Sequence, residues 1–210
     1  ITNDYLGERH MNNFDYGIIK NPEIFEVNRC KPHSDNHYTK GCNYIDLNGT
    51  YKFNFDKCIA DCIKDFYKED YDVSDWDEIK VPGNVPILRP DLEVPIYTNV
   101  MYPWDGHEDI VPGQIPEKRN SVYSYVRDID VPKDFGEKVY IKFEGVESAF
   151  ALWINGTFIG YSEDSFDASE FDISDVVRPG SNRIAVQVFK WSSGSWIEDQ
   201  DFWRLGGIFR

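Results

Sequence analysis

The stretch that decides the fold runs from residue 149 to residue 161 and reads Ala-Phe-Ala-Leu-Trp-Ile-Asn-Gly-Thr-Phe-Ile-Gly-Tyr. Its first six residues are apolar, the Asn155-Gly156 pair follows, and apolar residues return after it. An Asn-Gly pair between two apolar runs is a strong signal for a tight hairpin turn, because both residues tolerate a positive φ. We therefore predict a β-hairpin with strands over 149–154 and 157–161.

Further strands are predicted on both sides of this hairpin. Apolar and polar residues alternate over 122–131, over 138–144 and, after a Pro179-Gly180 turn, over 183–190. Alternation with a period of two is typical of a strand that buries one face. Strands that recur at short spacing, with little helix between them, predict an all-β fold, most simply a jelly-roll β-sandwich.

The segments upstream of residue 122 are less regular. The pattern over 47–55 predicts the first strand of the sandwich, and 76–82 reads as a short strand stopped by a proline. Apolar residues at spacings of three and four over 58–67 predict one or two helical turns. A long proline-studded loop is expected over 82–104. Residues 1–45 show no period and are interpreted as an extended arm, which leaves 46–210 as the jelly-roll domain.

Composition limits the classes of partner. The 210 residues include 41% hydrophobic residues, which is enough for a globular core. The formal net charge of -15 argues against nucleic acid and anionic membrane surfaces, because both are bound by clustered Lys and Arg. No apolar run reaches the length of a spanning helix, and the first residues have no pattern of a secretion signal.

The cysteines admit two interpretations. Cys30, Cys42, Cys58 and Cys62 are most simply reduced side chains that behave as small hydrophobes. The alternative is a metal site, which would combine Cys58 and Cys62 with two histidines, His33 and His37.

Several motifs, in one order along the chain, carry a resemblance to a known family. They are 27–29 with 32–34, 47–49, 81–84, 95–100 with 102–103, the hairpin segment 145–156, 160–162 with 164–165, 170–173, and the closing run 191–210 with its Glu198-Asp199-Gln200-Asp201-Phe202-Trp203-Arg204 core. Together they resemble the N-terminal sugar-binding domain of family 2 glycoside hydrolases of the β-galactosidase kind, a jelly roll of the galactose-binding-domain type.

The resemblance implies a cytoplasmic multidomain glycosidase in which an immunoglobulin-like domain and a barrel with two catalytic glutamates follow this jelly roll. The expected partners are therefore a β-galactoside and the remaining domains of the same chain. The family's next strand and its barrel are expected to lie outside these 210 residues, so no catalytic residue is assigned and the fragment is predicted to be inactive. An unpaired sheet edge would then reduce stability or favour edge-to-edge dimers, which leaves a homo-oligomer open.

Two positions match residues that the family's first domain lends to the active site, namely Asn99 and Asp201. The resemblance implies that both contact the galactosyl unit, that Asp201 also ligates sodium, and that the intact enzyme uses sodium and magnesium. Their chemistry suits this role, because a carboxylate accepts hydrogen bonds from sugar hydroxyls and an amide both donates and accepts. Neighbouring aromatic side chains would offer flat apolar faces to a sugar ring.

Simpler interpretations stay open at each position. The carboxylates of Glu198, Asp199 and Asp201 are also typical of a solvated loop, and Asn99 of a turn. Trp153 and Trp76 are expected in the core, and Arg204 is expected to pair with a nearby acid. Two other functions remain alternatives: a free-standing carbohydrate-binding module, and a purely structural assembly domain.

The chain departs from the family pattern at two places. Val85 stands where a tryptophan is usual, and Gly206-Gly207 replaces a slightly bulkier pair. The first departure puts local packing and one wall of the sugar site in question.

Overall fold

The computed structural model describes residues 13–32, 43–198 and 201–210. These residues form one short α-helix, Val85–Leu88, and two 3-10 helices, Tyr16–Lys20 and Ser193–Trp196. The strands of the described residues are β1 Glu26–Val27, β2 Gly49–Asp56, β3 Asp77–Val81, β4 Ile96–Thr98, β5 Val122–Val131, β6 Tyr140–Phe143, β7 Val146–Glu147, β8 Ala149–Ile154, β9 Thr157–Ser162, β10 Ser169–Asp172, β11 Gly180–Phe189, β12 Phe202–Arg204 and β13 Gly207–Ile208. The predicted all-β class is confirmed.

One large antiparallel sheet has the strand order β1-β9-β8-β11-β5-β2-β3. The predicted hairpin is confirmed as β8 and β9, joined by Asn155 at φ 50° and Gly156 at φ 81°. The strands predicted over 122–131 and 183–190 pair along their length as β5 and β11, from Gly180 opposite Val131 to Phe189 opposite Val122. Three two-stranded ribbons complete the fold: β10-β6, β12-β4 and β13-β7.

One face of the large sheet forms the sandwich core. Its inward side chains come from alternate positions of the central strands, as in Phe150, Leu152 and Ile154 of β8. The ribbon of β6 and β10 covers them with Ile141, Phe171 and neighbouring residues. Two layers of antiparallel sheet that face each other across an apolar core make the predicted jelly-roll β-sandwich.

The opposite face of the large sheet is also covered. There Trp153, buried as predicted, stacks on Tyr67 with ring centroids 4.9 Å apart and nearly parallel planes. Segments 14–27 and 59–76 provide the cover, and Trp76 packs half-buried at its edge. All six positions of β8 are therefore buried, which explains why its sequence is continuously apolar instead of alternating.

The helical turns predicted over 58–67 are wrong. This segment consists of turns, and its buried Cys62 and Phe66 belong to the second core cluster. The Asp56 carboxylate accepts a hydrogen bond from the Ile63 backbone N–H at 3.1 Å, and Asp65 has a φ of 63°. A helix requires negative φ throughout, so the apolar spacing reflects packing onto the sheet and not a helical face.

The N-terminal segment also differs from the prediction. Residues 13–32 contain a 3-10 helix and β1, which pairs with β9, so the strand over 49–56 is not the first strand of the sheet. The predicted loop over 82–104 likewise contains the short α-helix and β4. These elements are two to five residues long, too short to produce a readable period, and they form through pairing with distant strands.

Gly160 makes the close approach of β1 to the sheet possible. A Cβ at this position would lie 2.5 Å from the Val27 carbonyl oxygen and 2.5 Å from a ring carbon of Phe171. We expect Gly160→Ala to lower the free energy of unfolding by about 1–3 kcal/mol, as overpacking does in well-packed interiors. Urea denaturation measures this loss. Thr157→Ala, at an exposed position of the same strand, is the matched control, and equal midpoints for the two variants would contradict the prediction.

Candidate functional site

The candidate site is built on the ribbon of β4 and β12, which is called the site ribbon from here on. Phe202 lies opposite Thr98, and Trp203 lies opposite Tyr97. Extending this register by one residue places Asp201 opposite Asn99. The two residues that the sequence singled out therefore both lie directly beyond the Thr98–Phe202 pair, at the same end of the ribbon.

Side chains on the site ribbon alternate between an exposed and an inner face. Tyr97 and Trp203 are 49% and 53% exposed, and Asn99 and Asp201 are exposed as well. Residues opposite each other share a face, and so do residues two apart, so these four side chains line one surface. Arg204, on the inner face, is buried.

The exposed face combines a carboxylate, an amide and two aromatic rings. The Tyr97 hydroxyl donates a hydrogen bond to Asp201 Oδ1 at 2.5 Å, and this bond raises the pKa of Tyr97. The Tyr97 and Trp203 rings have centroids 5.3 Å apart. Oxygen acceptors, an amide donor and flat apolar faces are the groups that recognise sugar hydroxyls and sugar rings. Tyr97 was missed as a site residue, although its place two residues before Asn99 on a strand signals a shared face.

An ion pair lies beneath the exposed face. Arg204 Nη1 is 3.3 Å from Glu198 Oε2, which confirms the predicted pairing of Arg204 with an acid. Glu198 also accepts a hydrogen bond from the Ser165 hydroxyl, and burial raises its pKa. The solvated-loop interpretation is therefore wrong for Glu198, because its side chain is mostly buried and pairs with Arg204. Asp199 lies outside the described residues.

Two further buried carboxylates hold the chain on either side of β12, one before the strand and one after it. Glu163 accepts hydrogen bonds from the Ser193 hydroxyl and from the Gly194 backbone N–H, the latter at 2.7 Å. Glu147 accepts from the backbone N–H groups of Leu205 and Gly206 at 3.2 Å each. Sequence reasoning missed both acids, because a single glutamate within a strand pattern gives no sign of burial.

A buried pair fixes the approach to β4. Glu93 is 2.9 Å from Lys190 Nζ and accepts a hydrogen bond from the Ser121 hydroxyl at 2.5 Å. Burial lowers the pKa of Lys190, and the nearby carboxylate opposes that shift. The pair joins the loop before β4 to the residue that follows β11.

The two departures from the family pattern fit each other. Val85 is fully buried in the sandwich core, and its backbone N–H donates to the Gly206 carbonyl at 2.9 Å. A Cβ on Gly207 would lie 2.9 Å from the Gly83 carbonyl oxygen and 3.2 Å from Val85 Cγ2. Because Gly207 has no side chain, its backbone can approach Gly83 closely, and Val85 packs against this contact.

A metal site would require several His, Cys, Asp or Glu side chains close together. Those residues contain no group of three or more His, Cys, Asp or Glu side chains placed to hold a metal ion. Cys30, Cys58 and Cys62 are free thiols, whereas Cys42, His33 and His37 lie outside the described ranges. Hard cations take about six or more oxygen ligands, so Asp201 would contribute one donor among several from elsewhere. Among residues 13–32, 43–198 and 201–210, no helix has the length and apolar character needed to cross a membrane.

An antiparallel sandwich that presents an amide, a carboxylate and aromatic faces on one exposed ribbon defines the class of carbohydrate-binding β-sandwich domains. Within that class, the chain belongs to the sugar binding domain of glycosyl hydrolases family 2, whose family model matches residues 44–210.

Similar proteins agree with this assignment. The chain is 45% identical over 203 residues to a β-galactosidase of Clostridium acetobutylicum, which covers 91% of this chain and 22% of that protein. It is 39% identical over 220 residues to a β-galactosidase of Lactobacillus delbrueckii subsp. bulgaricus, covering 100% of this chain and 21% of the relative. The chain therefore spans about a fifth of the length of the curated relatives it matches.

Solved structures share the fold. A β-glycosidase from Bacteroides vulgatus matches with a TM-score of 0.53 and 23% identity, over 79% of this chain and 19% of that one. A calcium-binding mutant of Bacteroides uniformis β-glucuronidase 2 matches with a TM-score of 0.54 and 21% identity, over 78% and 17% of the two chains.

Proposed function

We propose that this chain is the galactoside-binding domain of a larger β-galactosidase and that it lends Asn99 and Asp201 to a site completed by the rest of the protein. The observation that supports this proposal is the site ribbon: Asn99 and Asp201 are both exposed and lie directly beyond its last residue pair, next to the exposed Tyr97 and Trp203. We choose a galactoside as the ligand because the relatives are named β-galactosidases.

Two features support completion of the site by another part of the protein. Retaining hydrolysis of a glycoside needs two carboxyl groups about 5–5.5 Å apart across the scissile bond. On the described part of the site ribbon, Asp201 is the one carboxylate of the exposed face. Exposed apolar side chains also lie close to the ribbon in sequence, with Val100 at 80% and Ile197 at 89% exposure, and such side chains favour burial against a further domain. The 210-residue chain is accordingly expected to be inactive alone.

The proposal includes a sodium ion, and Asp201 is the one residue of the described chain that we assign to it. Its exposed carboxylate offers an oxygen ligand for sodium, and the other ligands would come from the rest of the protein. No residue of the described chain is assigned to magnesium, so magnesium use stays a prediction for the full-length enzyme.

Asp201→Asn in the full-length protein is the direct test. The substitution keeps the size of the side chain and removes the charge that strengthens hydrogen bonds from sugar hydroxyls. Hydrogen bonds to charged groups contribute about 1.5–3 kcal/mol, so kcat/KM for a nitrophenyl β-galactoside should fall about 10- to 100-fold. Steady-state kinetics measure the change.

Asp134→Asn is the matched control, because Asp134 is an exposed aspartate outside the site ribbon. An unchanged kcat/KM for Asp201→Asn would leave this domain a structural role only. Calorimetric binding of galactose or lactose by the 210-residue chain alone would instead favour a free-standing carbohydrate-binding module.

A further inference from the structure

Glu147 is a buried carboxylate that contacts the chain directly after the site ribbon. It ends the two-residue strand β7 and is only 5% exposed. Its carboxylate accepts from the backbone N–H of Leu205 at 3.2 and 3.3 Å and from that of Gly206 at 3.2 Å. These two residues form the link between β12 and β13. One buried side chain thus holds the backbone immediately after the strand that follows Asp201.

The link needs such an anchor because its backbone is intrinsically permissive. Gly206 and Gly207 have φ values of 59° and 116°, conformations that glycine adopts without strain but also leaves easily. Glycine loses more conformational freedom on ordering than any other residue. A buried carboxylate that accepts two backbone N–H groups restricts this freedom and makes charge-assisted hydrogen bonds, which are stronger than neutral ones.

The strand between the link and the sugar-facing end is short. β12 spans three residues, Phe202–Arg204, and Asp201 precedes it directly. Glu147 fixes the link directly after β12, and Arg204, the last residue of β12, pairs with Glu198 in the loop before Asp201. A shift at residues 205–206 therefore has only three residues of a two-stranded ribbon over which to decay before it reaches Asp201.

From this geometry we propose that Glu147 is a positioning residue for Asp201: it fixes the β12–β13 link and thereby the placement of the carboxylate that contacts the galactoside. The proposal rests on the proposed function of the site ribbon. The ionisable groups that interact electrostatically with Glu147 are Glu198, Arg204, Lys190 and the Tyr123 hydroxyl. Glu147 itself touches no substrate.

A double-mutant cycle in the full-length protein tests the proposal. Displacement of a binding group by a fraction of an ångström is costly, and Glu147→Gln should raise KM for a nitrophenyl β-galactoside about tenfold. In the Asp201→Asn background the same substitution should change KM less than about twofold, because residues that act as a unit are not additive. Equal effects in both backgrounds, or an unchanged KM in the wild-type background, would overturn the proposal.

Glu163→Gln is the matched control for this cycle. Glu163 is similarly buried, at 6% exposure, and accepts from a glycine N–H, but it holds Gly194 and not the β12–β13 link. Its effect on KM is expected to be the same in the wild-type and Asp201→Asn backgrounds. If the effect of Glu163→Gln on KM depended on Asp201 as strongly as that of Glu147→Gln, loss of any buried carboxylate would disturb the site. That result would count against a specific role for Glu147.

Amide NMR on the 210-residue chain separates this proposal from the proposed function. In Glu147→Gln, shift changes should extend from Leu205 and Gly206 through β12 to the Asp201 amide. Changes confined to residues 205–206 would overturn the positioning role whatever the kinetics show. Changes that reach Asp201, combined with an unaltered kcat/KM for Asp201→Asn, would leave the positioning intact and overturn the galactoside role. If Glu147→Gln does not fold, hydrogen exchange on the wild-type chain still decides: the Leu205 and Gly206 amide protons must be protected, and exchange as fast as that of exposed loop amides would overturn the contact.

Discussion

Arg204→Met is expected to lower the free energy of unfolding by about 3–5 kcal/mol, the usual cost of removing one partner from a buried ion pair. The methionine fills most of the volume but leaves the Glu198 carboxylate buried without the guanidinium, while the Ser165 hydroxyl still donates a hydrogen bond to it. Burial already raises the pKa of Glu198, and loss of the guanidinium will raise it further. Urea denaturation near neutral pH measures the loss.

Two comparisons make this prediction specific. Arg178→Met removes a guanidinium from an exposed pair with Glu69, and solvent screening makes its expected effect much smaller. The double variant Arg204→Met with Glu198→Gln should recover part of the stability lost by Arg204→Met, since no buried charge is then left unpaired. A loss for Arg204→Met no greater than that for Arg178→Met would show that the buried pair contributes nothing net.

The central strands could be predicted from the sequence because their signals are local. Asn155-Gly156 marked a turn between two apolar runs, and the alternation over 122–131 matched β5 from end to end. The turns over 58–67 could not be predicted, since apolar spacing reports which residues are buried and not which backbone buries them. There a carboxylate contact to Ile63 and the positive φ of Asp65 decide the conformation.

The two exposed residues of the candidate site could be named from the sequence, whereas the buried carboxylates near them could not. Asn99 and Asp201 were indicated by a resemblance carried by neighbouring motifs, and pairing of β4 with β12 puts both at the same end of the site ribbon. Glu147 and Glu163 gave no signal, because acids are rarely buried and their partners are backbone N–H groups, which no side-chain pattern records. The β4–β12 contact itself joins residues about a hundred positions apart, a separation that local patterns do not report.

The pH dependence of stability should carry the signature of Glu147. Burial raises the pKa of this carboxyl from 4.5 to about 7, while the bonds from Gly206 and Leu205 oppose the shift. A carboxyl whose pKa is higher in the folded state binds more protons there than when unfolded, so it favours folding at acidic pH. Its contribution is complete below about pH 4.5, is lost as the pH rises through 7, and amounts to about 3 kcal/mol at 1.36 kcal/mol for each unit.

The measurement compares wild type and Glu147→Gln by urea denaturation between pH 4.5 and pH 8. Glutamine does not titrate, so the difference in unfolding free energy between the two proteins should change by about 3 kcal/mol across this range, in the sense that wild type loses stability relative to the variant as the pH rises. Other titrating groups occur in both proteins and cancel. Asp172 has its pKa lowered to about 2 and acts below this window. A constant difference would mean that Glu147 does not titrate in the range, and its carboxylate would then be ionised throughout.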